Sequence, residues 1–196
     1  MRLLPALLPP DQQRTLLGEI RAVLVEAPLY GPVMPRSGSP YSVRMSNCGP
    51  LGWLSDRDGY RYSPVHPLTQ RPWPAIPALV LDLWRQATGM AYAPEACLIN
   101  YYGPEARLGL HRDEDEEAKE APILSISLGD TALFRLGGLE RRSPTRSVRL
   151  GSGDAIVLEG PSRNWFHGVD RILPGTSRLL DEGGRFNLTL RRVTKP

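Results

Sequence analysis

The chain has 196 residues, 41% hydrophobic and 23% charged, with a formal net charge of +3. That length suits one domain with a full apolar core, and no run reaches the roughly 18 apolar residues that a helical membrane span needs. Two cysteines cannot build a disulfide framework, so a soluble, cytosolic protein is expected.

All but two of the 24 basic residues are arginine, Lys119 and Lys195 being the exceptions. A guanidinium forks onto carboxylates and phosphates, so the composition admits a polyanionic partner without requiring one. The opening MRLLPALLPPDQQ is apolar enough to suggest a secretion signal. Pro5, Pro9 and Pro10 break it, however, and no small-residue cleavage site follows.

Asp11 can cap a helix over residues 11–26, with Leu16, Leu17, Ile20, Val23 and Leu24 on one stripe. Residues 30–77 have no helical period; Gly, Pro and aromatics there predict loops and a short hairpin. IPALVLDLWRQATGM (76–90) predicts a second helix, stopped near Gly89.

From Cys97 the pattern changes. CLINYYG, RLGLHRD, ILSISLG, TALFRLG, RSVRL, DAIVLEG, NWFHGV and RFNLTLRRV are short, rich in β-formers, and separated by Gly, Pro or charge clusters. So many strands in about 100 residues predict a mainly β protein with flanking helices and a double-stranded β-helix (jelly-roll) core. The expected organisation is a single domain: a helical extension (1–40), a loop-rich insert (41–75), a supporting helix (76–90) and the β core (97–193).

NYYGPEARLGLHRDEDEE holds one of only three histidines in the chain. On a strand, alternation puts His111 and Asp113 on one face, with Leu108 and Leu110 expected toward the core. One histidine and one carboxylate can occupy adjacent positions of an octahedral ion. A distant second histidine would complete a facial triad that leaves positions open on non-haem Fe(II). The spacing alone is weak, since a His-x-Asp at one of three histidines arises by chance in roughly one such chain in seven. His167, in NWFHGV, is the better third ligand; His66, between prolines in the loop SPVHPLT, is the poorer one. A structural zinc site would want more thiols at short spacing, and the acidic run lacks the glycine an EF-hand loop requires.

RFNLTLR carries the cosubstrate argument. Arg185, Asn187, Thr189 and Arg191 share one face, opposite Phe186, Leu188 and Leu190. Two arginines on the inner face of a β core are costly to bury without anions, and a small dicarboxylate would satisfy them in a two-pronged geometry. The arginines are about 20 Å apart along a strand at about 3.3 Å per residue, so they are expected to lean inward onto opposite ends of the diacid. Asn100 and Tyr102 share a face on the strand before His111 and can add an amide and a phenol. Open metal positions beside a diacid pocket point to 2-oxoglutarate chemistry.

At these residues the sequence resembles the AlkB family of Fe(II)- and 2-oxoglutarate-dependent dioxygenases. CLINYYGPEARLGLHRDEDE, APILSISLG, FRLGGL, FHGV and RFNLTLR look like its core segments in order. SVRMSNCGPLGWLSDRDGYRYSP and RPWPAIP resemble its nucleotide-recognition lid, which corresponds to 41–75. The resemblance implies Fe(II) on His111, Asp113 and His167, and 2-oxoglutarate on Asn100, Tyr102, Arg185, Asn187 and Arg191, with O2 as the oxidant. It places Trp53 and Tyr60 in the lid, Asp115 against the exocyclic amine of the base, and Arg141 at the substrate rim. The implied activity is oxidative demethylation of N-alkylated bases such as 1-methyladenine and 3-methylcytosine in DNA, best when single-stranded, by a monomer releasing formaldehyde. RNA, a modified tRNA or a protein side chain as substrate, and a non-catalytic jelly-roll binding module, stay open as alternatives.

Overall fold

The computed structural model of the protein describes residues 1–195. Strand β1 (Arg2–Leu4) precedes helix α1 (Pro10–Glu26), and β2 (Arg44–Cys48), β3 (Gly52–Asp56) and β4 (Gly59–Ser63) follow. Helix α2 (Ala78–Thr88) leads into β5 (Ala96–Tyr102), β6 (Leu108–His111), β7 (Ile123–Gly129) and β8 (Thr131–Leu136). The chain ends with β9 (Arg146–Leu150), β10 (Ala155–Leu158), a 3₁₀ turn at Gly160–Asn164, β11 (His167–Leu173) and β12 (Arg185–Arg191).

Six strands form a major sheet in the order β1-β10-β7-β12-β5-β2, and four form a minor sheet, β6-β11-β8-β9. The two sheets face each other as the double-stranded β-helix expected from the sequence, and each of the eight segments singled out after Cys97 contributes one strand. β3 and β4 pair only with each other, as a hairpin.

Alternation along the strands builds two cores. On β12, Phe186, Leu188 and Leu190 point outward, where Leu16, Leu17 and Ile20 of α1 and Val80, Leu83 and Trp84 of α2 cover the major sheet. Between the sheets lie Leu98, Tyr102, Ile123 and Ile156 from one side and Phe134, Leu136, Val169 and Ile172 from the other. The polar face of β12 points into this inter-sheet space: Arg185, Asn187, Thr189 and Arg191 are all buried.

Two strands were not foreseen. β1, within the apolar opening, pairs with β10 at one edge of the major sheet, and β2, within the loop-rich insert, pairs with β5 at the other. β2 reads RMSNC, and polarity hides its alternation. Ser46 and Asn47 are fully buried, because Ser46 Oγ donates to the Ala27 carbonyl at 2.7 Å and Asn47 Nδ2 to the Trp53 carbonyl at 3.1 Å. A buried polar residue with its bonds satisfied locally leaves no hydrophobic signal.

Candidate active site

His111 ends β6 and His167 begins β11, and the two are directly paired across the antiparallel ladder. Their rings lie 4.5 Å apart, centroid to centroid. Asp113 follows two residues after β6 has ended, with its Oδ1 3.7 Å from His111 Nε2. One ligating atom from each of the three lies within 4.8 Å of the others.

The strand geometry differs from plain alternation. The β6–β11 register pairs Leu108 with Val169 and then His111 with His167, with a bulge between them. Leu108 and His111 therefore both turn toward the inter-sheet space; both leucines are half-buried, but only Leu108 packs against the inter-sheet core, and Leu110, expected in the core beside it, does not. Bulges re-aim side chains in this way next to functional sites. Gly168 permits it, since a Cβ there would lie 2.5 Å from the Leu108 carbonyl oxygen and 2.8 Å from that of Gly109. Gly168→Ala is therefore expected to push β6 away from β11 and to weaken Mn(II) binding by roughly 10–100-fold, the range found when the support of a metal ligand is lost. Calorimetry checks this; unchanged affinity would remove the bulge from the account.

Both histidines are set up to offer Nε2. His111 Nδ1 and His167 Nδ1 each lie 3.0 Å from a backbone carbonyl two residues earlier, Gly109 and Trp165. An Nδ1–H bonded to a carbonyl leaves the Nε2 lone pair free for a metal. Burial and the neighbouring His111 ring push the His167 imidazole down to about 4, so it is neutral at physiological pH. Burial would raise the Asp113 carboxyl, but Arg191, His167 and His111 more than offset this and hold it well below the ordinary carboxylate range. Deprotonated ligands are what a metal requires. His66 is no rival: it is fully buried, its Nε2 is bonded to the Pro28 carbonyl, and its Nδ1 accepts from the amides of Leu68 and Thr69.

A cavity of about 470 Å³ opens from these three residues between the sheets. Asn100, Tyr102, Arg185, Asn187 and Arg191 line its interior, and Trp53, Tyr60, Asp115 and Arg141 also border it. The two arginines are not equivalent. Arg191 places Nε and Nη2 on Asp113 Oδ2, at 3.0 and 2.8 Å, so most of its fork holds the candidate metal ligand. Its Nη1 is left without a partner among the described residues, so Arg191 can hold Asp113 and still offer one donor to a diacid. Arg185, 1% exposed, bonds only neutral partners, Ser127 Oγ at 2.8 Å and the Leu150 carbonyl at 3.3 Å. Burial pushes its guanidinium down to about 10, which leaves it charged at neutral pH.

Three buried polar atoms on this wall have no hydrogen-bond partner among the described residues: Arg185 Nε, Arg191 Nη1 and Asn100 Oδ1. The two orphaned guanidinium donors suit a small anionic ligand, and the amide oxygen of Asn100 can accept from a hydroxyl or water. The donor set thus fits an ion with open positions next to a compact carboxylic acid.

At the mouth, Trp53 and Tyr60 stack on each other across the β3–β4 hairpin, 5.7 Å between centroids at 16°. Trp53 Nε1 donates to Asp115 Oδ2 at 2.8 Å, a contact not anticipated for either residue. Arg141 and Arg112 both lie over the Phe166 ring, at 5.9 and 5.5 Å. The reading of the sequence missed Glu116 and Arg163, both buried and ion-paired at 2.9 Å; one stands in a run of acids and the other in a turn, and no periodicity marks either.

Comparison with known proteins agrees with this geometry. The chain matches the 2OG-Fe(II) oxygenase superfamily over residues 1–191. It is 52% identical over 189 residues to the alpha-ketoglutarate-dependent dioxygenase AlkB homolog of Caulobacter vibrioides, covering 96% of this chain and 86% of that protein. It is 42% identical over 184 residues to alpha-ketoglutarate-dependent dioxygenase AlkB of Escherichia coli, covering 92% and 84%. The solved structure of OsALKBH1 superposes with a TM-score of 0.83 at 30% identity, over 97% of this chain and 95% of that one.

Proposed function

Because this chain belongs to the AlkB family of Fe(II)- and 2-oxoglutarate-dependent dioxygenases, we propose that it oxidatively removes alkyl groups from bases of nucleic acid, with N-methylated single-stranded DNA its readiest substrate. The observation that carries this reading is the meeting, in one cavity, of a His-Asp-His cluster, a buried arginine bonded only to neutral partners, and an aromatic hairpin at the mouth.

In this reading His111 and His167 would hold the metal through Nε2 and Asp113 through its free carboxylate oxygen, while Arg191 keeps the other oxygen of Asp113 occupied. Arg185 would pair with a carboxylate of 2-oxoglutarate, and Asn100, Tyr102 and Asn187, which line the same cavity, would orient it. When bound, Fe(II), 2-oxoglutarate and O2 supply the hydroxylation of an N-methyl carbon, and the net reaction yields the unmodified base, formaldehyde, succinate and carbon dioxide.

The protein's own part is to bind, orient and exclude water. A base must leave its stack to enter the cavity, which favours single strands. Trp53 and Tyr60 offer it a stacking surface, and Asp115 an acceptor for an exocyclic amine. The deciding experiment incubates the Fe(II)-loaded protein and 2-oxoglutarate with methylated DNA and RNA oligonucleotides, scoring base mass and formaldehyde. Turnover confined to RNA would replace the DNA assignment, and no release from any member would remove the substrate class.

Trp53→Ala is expected to raise KM for a methylated single-stranded oligonucleotide by about 5–150-fold, the equivalent of roughly 1–3 kcal/mol of base stacking. Uncoupled 2-oxoglutarate turnover should change little, because Trp53 sits at the mouth and not on the wall that carries Arg185. An unchanged KM would reduce Trp53 to packing.

A further inference from the structure

The acidic run after Asp113 turns back into the protein at Glu116, which is 3% exposed while its neighbours Asp115 and Glu117 face solvent. Groups from three separate segments meet on its carboxylate. The Tyr62 hydroxyl of β4 donates to Oε1 at 2.5 Å, Arg163 Nη2 of the 3₁₀ turn donates to Oε2 at 2.9 Å, and Arg191 Nε lies 3.4 Å from Oε1. Arg163 also donates to the carbonyls of Asp113 at 2.8 Å and Ala121 at 3.0 Å, pinning both ends of the acidic loop. Arg191 meanwhile holds the Asp113 carboxylate itself.

For stability alone such a network has little advantage, since apolar side chains of similar volume usually serve as well as buried ion pairs. Its particular property is connectivity. β3 and β4 belong to neither sheet, and Tyr62 bonds this hairpin, one acceptor away, to the two arginines that fix Asp113.

We propose that Glu116 is a positioning residue that couples the β3–β4 hairpin to the Asp113 carboxylate, so that loading the metal and 2-oxoglutarate tightens the hairpin over the cavity mouth. This rests on the assignment of Asp113 to the metal and does not depend on the identity of the substrate. By linkage, a hairpin held closed must in turn favour the loaded site.

The test is hydrogen–deuterium exchange of the hairpin amides, residues 52–63, in wild type and Tyr62→Phe, each with and without Mn(II) and 2-oxoglutarate. Mn(II) uptake is followed separately by calorimetry. Tyr62→Phe removes one hydroxyl, whereas truncating Glu116 would strand the buried Arg163. In wild type, loading should slow hairpin exchange at least about fivefold, the lower end of ordinary coupling energies. Tyr62→Phe should take up Mn(II) while its hairpin no longer responds. A merely structural hydroxyl would raise exchange equally with and without metal and leave the response intact, which overturns the proposal, as does a wild-type hairpin indifferent to loading. If wild type takes up no Mn(II), the metal assignment falls and this coupling falls with it.

Discussion

Alanine at His111, Asp113 or His167 is expected to abolish turnover and to weaken metal binding by more than about 100-fold. Losing only the partners that orient a metal ligand costs roughly 10–100-fold, and each of these substitutions deletes a ligand. The scaffold should survive the histidine changes, because β11 keeps its ladder with β8 and Leu108 stays paired with Val169. Asp113→Ala carries an extra cost: it leaves the buried Arg191 with Glu116 at 3.4 Å as its remaining carboxylate. Asp113→Asn is the gentler comparison. Oxygen-free addition of Fe(II) and 2-oxoglutarate should give a visible charge-transfer band in wild type and none in these variants. Full formaldehyde release from His167→Ala would sink the triad. His66 could not replace it, with both ring nitrogens already bonded.

Lysine at the two arginines should separate their roles. Arg185→Lys is expected to lose 2-oxoglutarate affinity with metal affinity nearly intact, because Arg185 touches Ser127 and Leu150 and none of the triad. Truncating one partner of a buried charge pair costs about 2–5 kcal/mol, or roughly 30–5000-fold in Kd. A compact ammonium cannot reproduce a planar two-pronged contact. Arg191→Lys should lose both affinities, since it also releases the Asp113 carboxylate. Calorimetry of Mn(II), then of 2-oxoglutarate, distinguishes the two. Raised ionic strength should affect wild-type 2-oxoglutarate binding little, because buried pairs are weakly screened. If both lysine variants bind 2-oxoglutarate like wild type, the arginine argument is wrong.

Much of the molecule was legible in the residues themselves. Alternation on β12 and β5 put Arg185, Asn187, Thr189 and Arg191, and Asn100 and Tyr102, on the faces they occupy, because side-chain direction on a strand has a fixed period of two. Leu16, Leu17, Ile20 and Val23 fall on the buried side of α1 as the helical period requires. The spacing of His111, Asp113 and His167 pointed to a cluster, and family resemblance made that pointer specific.

Other features depended on long-range contact. β1 and β2 are strands because the edges of the major sheet accept them; a three-residue segment and one with buried Ser46 and Asn47 carry no pattern of their own. The bulge that turns both Leu108 and His111 inward exists because β6 must fit the register of β11. A solvated reading suits every acid after Asp113 equally well, yet Tyr62, Arg163 and Arg191 converge on Glu116 alone. The contact of Arg191 with Asp113 was not legible either, because folding brings residue 191 to a carboxylate 78 positions away. Periodicity and spacing are local properties that a sequence displays. Which charge meets which is decided by the packing of distant segments, and for this protein only the tertiary structure decides it.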